Sequence, residues 1–256
     1  MKQADSIKVW QQDNTYCLYD SAVIIEFFPE MLSPQYWQAK RAVMGSAQGR
    51  GTTWFVRYVS NTKSEQHWVL RHYYRGGLIG KMVKDSYWFS SQKNTRAARE
   101  FDLLTYMQSL KLPAPKPIAY KVVKHGFFYQ ADLLSSRIEH AQDLVAILSK
   151  KAITQVLWQK IGTTIRRFHN NNIYHHDLNT HNILINEKEQ VFLIDFDRGE
   201  IRDASQKSWQ QANMARLQRS LNKELNRLDN FHFTNDNWQF LLKGYFDSNY
   251  AASKAS

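Results

Sequence analysis

Apolar and polar positions change rhythm several times along this chain, and each rhythm predicts a kind of element. Apolar residues alternate in Thr15-Tyr16-Cys17-Leu18-Tyr19 and again over 22–28, which predicts short strands. Pro29 ends that run. Ser33-Pro34 pairs a capping serine with a first-turn proline, the start of a short helix reaching about Lys40. Apolar runs at 42–44 and 53–59 flank a loop with Gly45, Gly49 and Gly51, a hairpin pattern. The next strand is expected over 68–74, ending in the turn Arg75-Gly76-Gly77. From 93 to 110, Leu103, Tyr106, Met107 and Leu110 recur as in a helix. Three prolines within 112–117 stop it, and strands at 118–123 and 127–134 meet at His125-Gly126.

Beyond about residue 132 helical spacing takes over. Helices are expected at 142–148 and 154–169, the second burying Val156, Leu157, Ile161, Ile165 and Phe168. Apolar runs at 183–185 and 191–194 around a polar turn at 187–190 predict a strand hairpin. Two further helices follow. One covers 208–226, with Leu217, Leu221, Leu225 and Leu228 on one face; the other covers 235–246, with Trp238, Leu241, Leu242 and Tyr245 inward. Arg216, Arg219, Lys223 and Arg227 form a basic stripe beside the leucines, either a solvated flank or a wall facing an acidic acceptor or an anionic bilayer. The pattern predicts an α+β fold of two lobes, an antiparallel sheet with one main helix over 1–132 and a mostly helical part over 133–256, linked near 131–136.

Candidate chemistry concentrates around the 183–194 hairpin. His175-His176-Asp177-Leu178 with Asn182 stands before it, and Asp195-Phe196-Asp197 after it. A hairpin brings the residue before its first strand close to the residue after its second, so Asn182 and Asp195 should converge, with Asp177 on the loop leading in. Phosphoryl transfer needs this layout. One carboxylate accepts or orients a hydroxyl proton, while a carboxylate and an amide oxygen hold magnesium against nucleotide phosphates. The spacing matches the protein-kinase pattern H-R-D-L-x-x-x-N followed by D-F-G.

Upstream, Gly45, Gly49 and Gly51 stand where a kinase loop covers ATP phosphates, although their order is G-x-x-x-G-x-G. Val69-Leu70-Arg71 occupies the place of V-A-I-K, with a permanently charged arginine in the lysine slot. Glu100 is the candidate partner for Arg71; the alternative is a solvated glutamate paired with Arg96 and Arg99 on its own helix. Only 57 residues follow Gly199 and no Ala-Pro-Glu occurs among them, which points away from a conventional protein kinase and toward a small kinase for a metabolite or glycolipid.

Composition narrows the partners. Apolar content of 43% and aromatic content of 14% suffice for a real core. No run approaches the ~18 apolar residues of a membrane helix, and the N-terminus lacks a signal-peptide core. The single Cys17 excludes an intramolecular disulfide and a cysteine-built zinc site, and suggests a reducing cytoplasm. The net charge of +11 favours an anionic partner: nucleic acid, a phosphate-bearing ligand or an anionic membrane face. Nothing resembles a nucleic-acid reading motif, so no nucleic-acid partner is expected.

The segments GSAQGRGTTWFVRY, WVLRHYYRGGLIGKMVKDSYWF, TRAAREFDLL, and IYHHDLNTHNILI with FLIDFDRG span 45–199, about three-fifths of the chain. In them the chain resembles bacterial lipopolysaccharide-core kinases that act on 3-deoxy-D-manno-octulosonic acid (Kdo). The resemblance implies a kinase-like fold and ATP-dependent, magnesium-assisted phosphorylation of the 4-hydroxyl of Kdo on a lipid A precursor. It also implies peripheral attachment at the cytoplasmic side of the inner membrane. By position, Asp177 resembles the catalytic base, and Asn182 and Asp195 the magnesium ligands. Arg71 fills the lysine slot, Asp197 replaces the glycine of D-F-G, and Asn179 replaces the catalytic-loop lysine. That last change leaves Arg198, or a basic residue of the C-terminal helix, to neutralise the transferring phosphate. Rival readings are another acceptor (heptose, an aminoglycoside or a protein) or a pseudokinase scaffold. A basic protein suits a cationic aminoglycoside poorly, and a scaffold has no need of Asp177, Asn182 and Asp195 together.

Overall fold

A computed structural model describes residues 6–48, 51–60, 64–75, 85–203, 205 and 208–247. The fold is α+β. Contacts divide the chain into two compact units, one of Met1–Thr105 with Pro115–Arg137, the other of Tyr106–Ala114 with Ile138–Ser256.

The first unit is built on an antiparallel sheet of β1 (Ile7–Gln12), β2 (Thr15–Asp20), β3 (Val43–Gln48), β4 (Thr52–Val59), β5 (Glu65–His72), β6 (Tyr87–Trp88), β7 (Pro117–His125) and β8 (Phe128–Ser136). The spatial order is β1-β2-β7-β8-β5-β4-β3, with β6 added beside β8. Residues 131–136, expected as a link, continue β8 instead. Helix α1 (Pro34–Ala39) and a 3-10 turn at Pro29–Leu32 contribute to a core of Ile24, Met31, Leu32, Trp37, Val56, Trp68 and Leu70. Trp37 meets Trp68 edge to face at 5.9 Å, and Trp37 Nε1 donates to the Met31 carbonyl at 2.7 Å. Strand side chains alternate in direction, so Leu70 enters this core while Arg71 points to the other face. Helix α2 (Arg96–Ser109) carries Glu100, the partner of Arg71.

The expected strand over 22–28 does not form. Asp20 prevents it: its carbonyl accepts from Val23 and Ile24, its carboxylate accepts from Ala22, and the backbone turns. Ile24 is buried by that turn. The glycine loop is also shorter than expected, because β3 runs through Gly45 with a bulge at Val43/Gly45.

The second unit carries β9 (Ala141–Asp143), α3 (Leu144–Leu148), α4 (Gln155–Asn170), β10 (Ile173–Tyr174), β11 (Ile183–Asn186), β12 (Val191–Leu193), β13 (Glu200–Ile201), α5 (Ser208–Arg227) and α6 (Asn235–Phe246). Local capping sets the helix starts. Asp143 accepts from Val145 and Ala146, Thr154 accepts from Leu157, and Thr234 forms a capping box with Asn237. Helices α4 and α6 cross with backbones nearly touching. A Cβ on Gly162 would lie 2.0 Å from the Leu241 carbonyl oxygen, and one on Gly244 would lie 2.0 Å from that of Gln159.

Three helix faces differ from expectation. On α4, Val156 is exposed and Trp158 is buried in its place. On α2, Tyr106 is exposed. On α5, Leu225 is exposed while Glu224 is buried, since the inward face continues from Leu221 at a step of three rather than four.

Candidate active site

In the first unit, Arg71 lies mid-sheet, opposite Thr53 on β4 and Leu133 on β8. Its Nη2 donates to Glu100 Oε2 at 2.5 Å, and the Tyr73 hydroxyl donates to the same oxygen at 2.7 Å. Glu100 is only 4% exposed, so it is a buried carboxylate held by a charged and a neutral donor. Burial and the nearby Glu100 charge together push the Tyr73 phenol well above its usual range. The guanidinium also lies 5.0 Å from the Tyr73 ring centroid, a cation–π contact. The solvated alternative for Glu100 is thus excluded. Of the candidate glycines, Gly45 sits within β3, Gly51 immediately precedes β4, and Gly49 lies outside the described residues. A Cβ on Gly51 would stand 2.0 Å from the Tyr74 ring, which would have to swing aside to admit a side chain there.

In the second unit, residues 173–201 form two nested ribbons. The inner one pairs β11 with β12, and the outer one pairs β10 with β13 through Ile173↔Ile201 and Tyr174↔Glu200. The segments between them, 175–182 and 194–199, therefore face each other. Ile194 N–H donates to the Asn182 carbonyl at 3.0 Å, and His175 Nε2 donates to the Ile194 carbonyl at 2.8 Å. Since Nε2 carries the proton, His175 Nδ1 is a bare acceptor, and it receives the Asp177 N–H at 3.1 Å. Burial lowers the pKa of His175, in keeping with a neutral ring. The Asp177 backbone is thereby attached to the strand that leads into Asp195.

Asn182 donates through Nδ2 to the Asp177 carbonyl at 2.9 Å. A carbonyl only accepts, so the amide orientation follows, and Oδ1 is turned away from the loop backbone. Asn179 explains its own departure from lysine: its Oδ1 accepts from His181 and Asn182 N–H at 2.9 and 3.2 Å and caps the turn Thr180–Asn182. Phe196 is buried between Phe168, stacked at 5.5 Å, and His175 at 4.7 Å. Of its two flanking residues Asp195 is exposed and Asp197 half-buried, and Asp195 takes a left-handed φ of 60°. The donors Asn182 Oδ1 and the Asp195 carboxylate are both oxygens, the set a hard cation such as magnesium takes with one or two carboxylates and substrate phosphates. Among the described residues no trio of His, Cys, Asp or Glu forms an all-protein metal cage.

Helix α5 grips this loop with a row of polar side chains that the leucine pattern did not reveal. Asn213, only 1% exposed, donates to the His175 carbonyl at 2.9 Å and accepts from the His175 N–H at 3.3 Å. Its Oδ1 also faces His169 Nε2 at 3.3 Å, so that nitrogen is the protonated one, and His169 Nδ1 accepts from the Tyr245 hydroxyl at 2.7 Å. Burial lowers the His169 pKa to about 4. Two turns on, Ser220 Oγ meets the Thr180 N–H and hydroxyl at 3.1 and 2.9 Å. Glu224 lies 3.6 Å from His181 and binds Arg227. Asn213, Ser220 and Glu224 are seven and four residues apart, on the buried side of a helix. Polar residues at inward positions were the signal available in the sequence.

From the same helix, Arg216 Nη1 donates to Asp177 Oδ1 at 3.0 Å. Both side chains are largely open, 44% and 42% exposed, so the pair contributes at most about 1 kcal/mol. It joins Arg198 and Arg202 in a positive field: burial first, then Arg198 and Arg216, lower the pKa of His176.

A loop carboxylate beside a metal-suited amide and carboxylate is the equipment of a kinase-type phosphotransferase. The family model "Lipopolysaccharide kinase (Kdo/WaaP) family" matches residues 34–245. A protein named 3-deoxy-D-manno-octulosonic acid kinase from Vibrio vulnificus is 46% identical over 227 residues, covering 89% of this chain and 93% of its own. One of the same name from Haemophilus influenzae is 42% identical over 246 residues, covering 92% and 98%. Among solved structures, the Cydia pomonella granulovirus kinase PK-1 aligns with 68% of this chain and 58% of its own, at a TM-score of 0.41 and 16% identity. The chain belongs to the lipopolysaccharide kinase (Kdo/WaaP) family.

Proposed function

We propose that this protein transfers the γ-phosphoryl group of ATP to the 4-hydroxyl of Kdo on a lipid A-linked acceptor, at the cytoplasmic face of the inner membrane. The acceptor oxygen forms a bond to the γ-phosphorus as the bond from that phosphorus to the β-γ bridging oxygen breaks. The hydroxyl proton passes to Asp177, and ADP leaves. Arg71, oriented by Glu100, pairs with the nucleotide phosphates, and the backbone near Gly45, Gly49 and Gly51 approaches them. Asn182 and Asp195 would hold magnesium, which would neutralise charge on the phosphates. Positioning and charge neutralisation then supply most of the rate.

The observation that carries the choice of acceptor is the match, over nine-tenths of the chain, to proteins whose name states that activity. The net charge of +11 suits an acidic glycolipid and an anionic bilayer. No helix among the described residues is long and apolar enough to cross a membrane, and the basic surface would attach the protein through contacts with anionic headgroups.

The test is incubation with magnesium, ATP and Kdo-bearing lipid A precursor, followed by mass spectrometry of the lipid. A gain of one phosphate on Kdo is expected. Asp177→Ala should abolish the gain while leaving ATP binding intact. Phosphorylation of heptose but not Kdo, or normal turnover by Asp177→Ala, would overturn the proposal.

A further inference from the structure

Asp177 must offer its carboxylate to a hydroxyl, yet one of its oxygens is held by Arg216 at 3.0 Å. The contact engages a single guanidinium nitrogen, whereas an arginine fork has five donors and fits a carboxylate through two parallel bonds. Both partners are open to solvent, so the pair exchanges easily; the Asn213 contacts one turn earlier are buried and do not. Arg198 and Arg202 reinforce the positive field around His176. An anion entering here meets Arg216 beside the proton acceptor.

We infer that Arg216 binds the carboxylate of the acceptor sugar acid, and in doing so releases Asp177 to the hydroxyl. This rests on the acceptor proposed above. Arg216 then determines specificity: an acceptor with the hydroxyl but no neighbouring carboxylate leaves Asp177 tied to the arginine. The basic stripe on α5 accordingly divides, with Arg227 bound to the buried Glu224 and Arg216 serving the acceptor.

The experiment uses the full chain, as wild type, Arg216→Gln and Arg216→Lys, with two acceptors: Kdo-lipid A precursor, and the same lipid with the Kdo carboxyl as its methyl ester. Wild type should prefer the free acid by about 10- to 100-fold in kcat/KM, the size of a charge-assisted contact. Arg216→Gln should lose a similar factor on the free acid, mainly through acceptor KM, with ATP KM unchanged. It should barely distinguish acid from ester, and Arg216→Lys should recover part of the preference. Arg216 is exposed, so all three proteins should share a thermal midpoint. A wild type that uses acid and ester equally sinks the assignment while sparing the proposed function. So does an Arg216→Gln that keeps the full preference, or one that loses kcat alone. A wild type that phosphorylates neither lipid overturns both.

Discussion

Asn213 ties α5 to the loop that carries Asp177, and Asn213→Ala measures how far the loop's shape depends on that tie. Its amide satisfies the N–H and carbonyl of His175 and the Nε2–H of His169. All three groups belong to residues that are almost fully buried. Each would lose its partner at about 1–3 kcal/mol. The two contacts at 3.3 Å are long and belong at the low end of that range, so the sum is about 3–5 kcal/mol. For a chain of this size that lowers the thermal midpoint by roughly 6–20 °C. Trp209, packed edge-on against His169 at 5.1 Å, reports the loss by fluorescence. The kinetic effect should accompany it. His175 holds the Asp177 N–H, so a freed His175 peptide displaces Asp177, and a shift of ~1 Å costs about 100-fold in kcat. ATP KM should change little. A variant with an unchanged midpoint and kcat within twofold of wild type would show that α5 does not hold the loop.

Gly244→Ala places a methyl 2.0 Å from the Gln159 carbonyl oxygen and 2.6 Å from its Cα, both backbone. It should destabilise by about 3 kcal/mol or more, readable by urea unfolding; a neutral result would mean α4 and α6 part without strain. Stability should also fall in acid. His169 has a pKa of about 4 when folded and about 6.5 when unfolded, so between these values the unfolded chain binds a proton that the native one refuses. Lowering the pH through that window therefore favours unfolding, by about 3 kcal/mol in total, with His175 acting in the same direction. Thermal midpoints from pH 7.5 to 4.5 test this, and a flat profile counts against a neutral His169. Arg71→Met should destabilise by about 3 kcal/mol, because buried Glu100 loses its charged donor, and should lower kcat/KM for ATP. Arg71→Lys should restore part of both; equal stability in the methionine variant would show the pair to be ornamental.

Where the physics is local, the amino-acid order alone determined the outcome. Period-two apolar runs around a polar turn were enough for the β11–β12 hairpin, and a hairpin necessarily brings Asn182 beside Ile194. Apolar spacing placed α4, α5 and α6 to within a residue or two. Arg71 and Glu100, 29 positions apart, were matched through a known pattern rather than through any local signal. Contacts of longer range belonged to the tertiary structure. Only docking decides which way a helix is rotated, and a rotation of one position puts Glu224 inside and Leu225 outside. The same rotation delivers Asn213, Arg216 and Ser220 to a loop some forty residues earlier. Asp20 likewise turned an apolar run into a bend through side-chain hydrogen bonding that no hydrophobic periodicity records. Strand and helix arise from short-range backbone preferences, whereas the buried polar contacts that orient Asp177 exist only once two distant surfaces have met and excluded water.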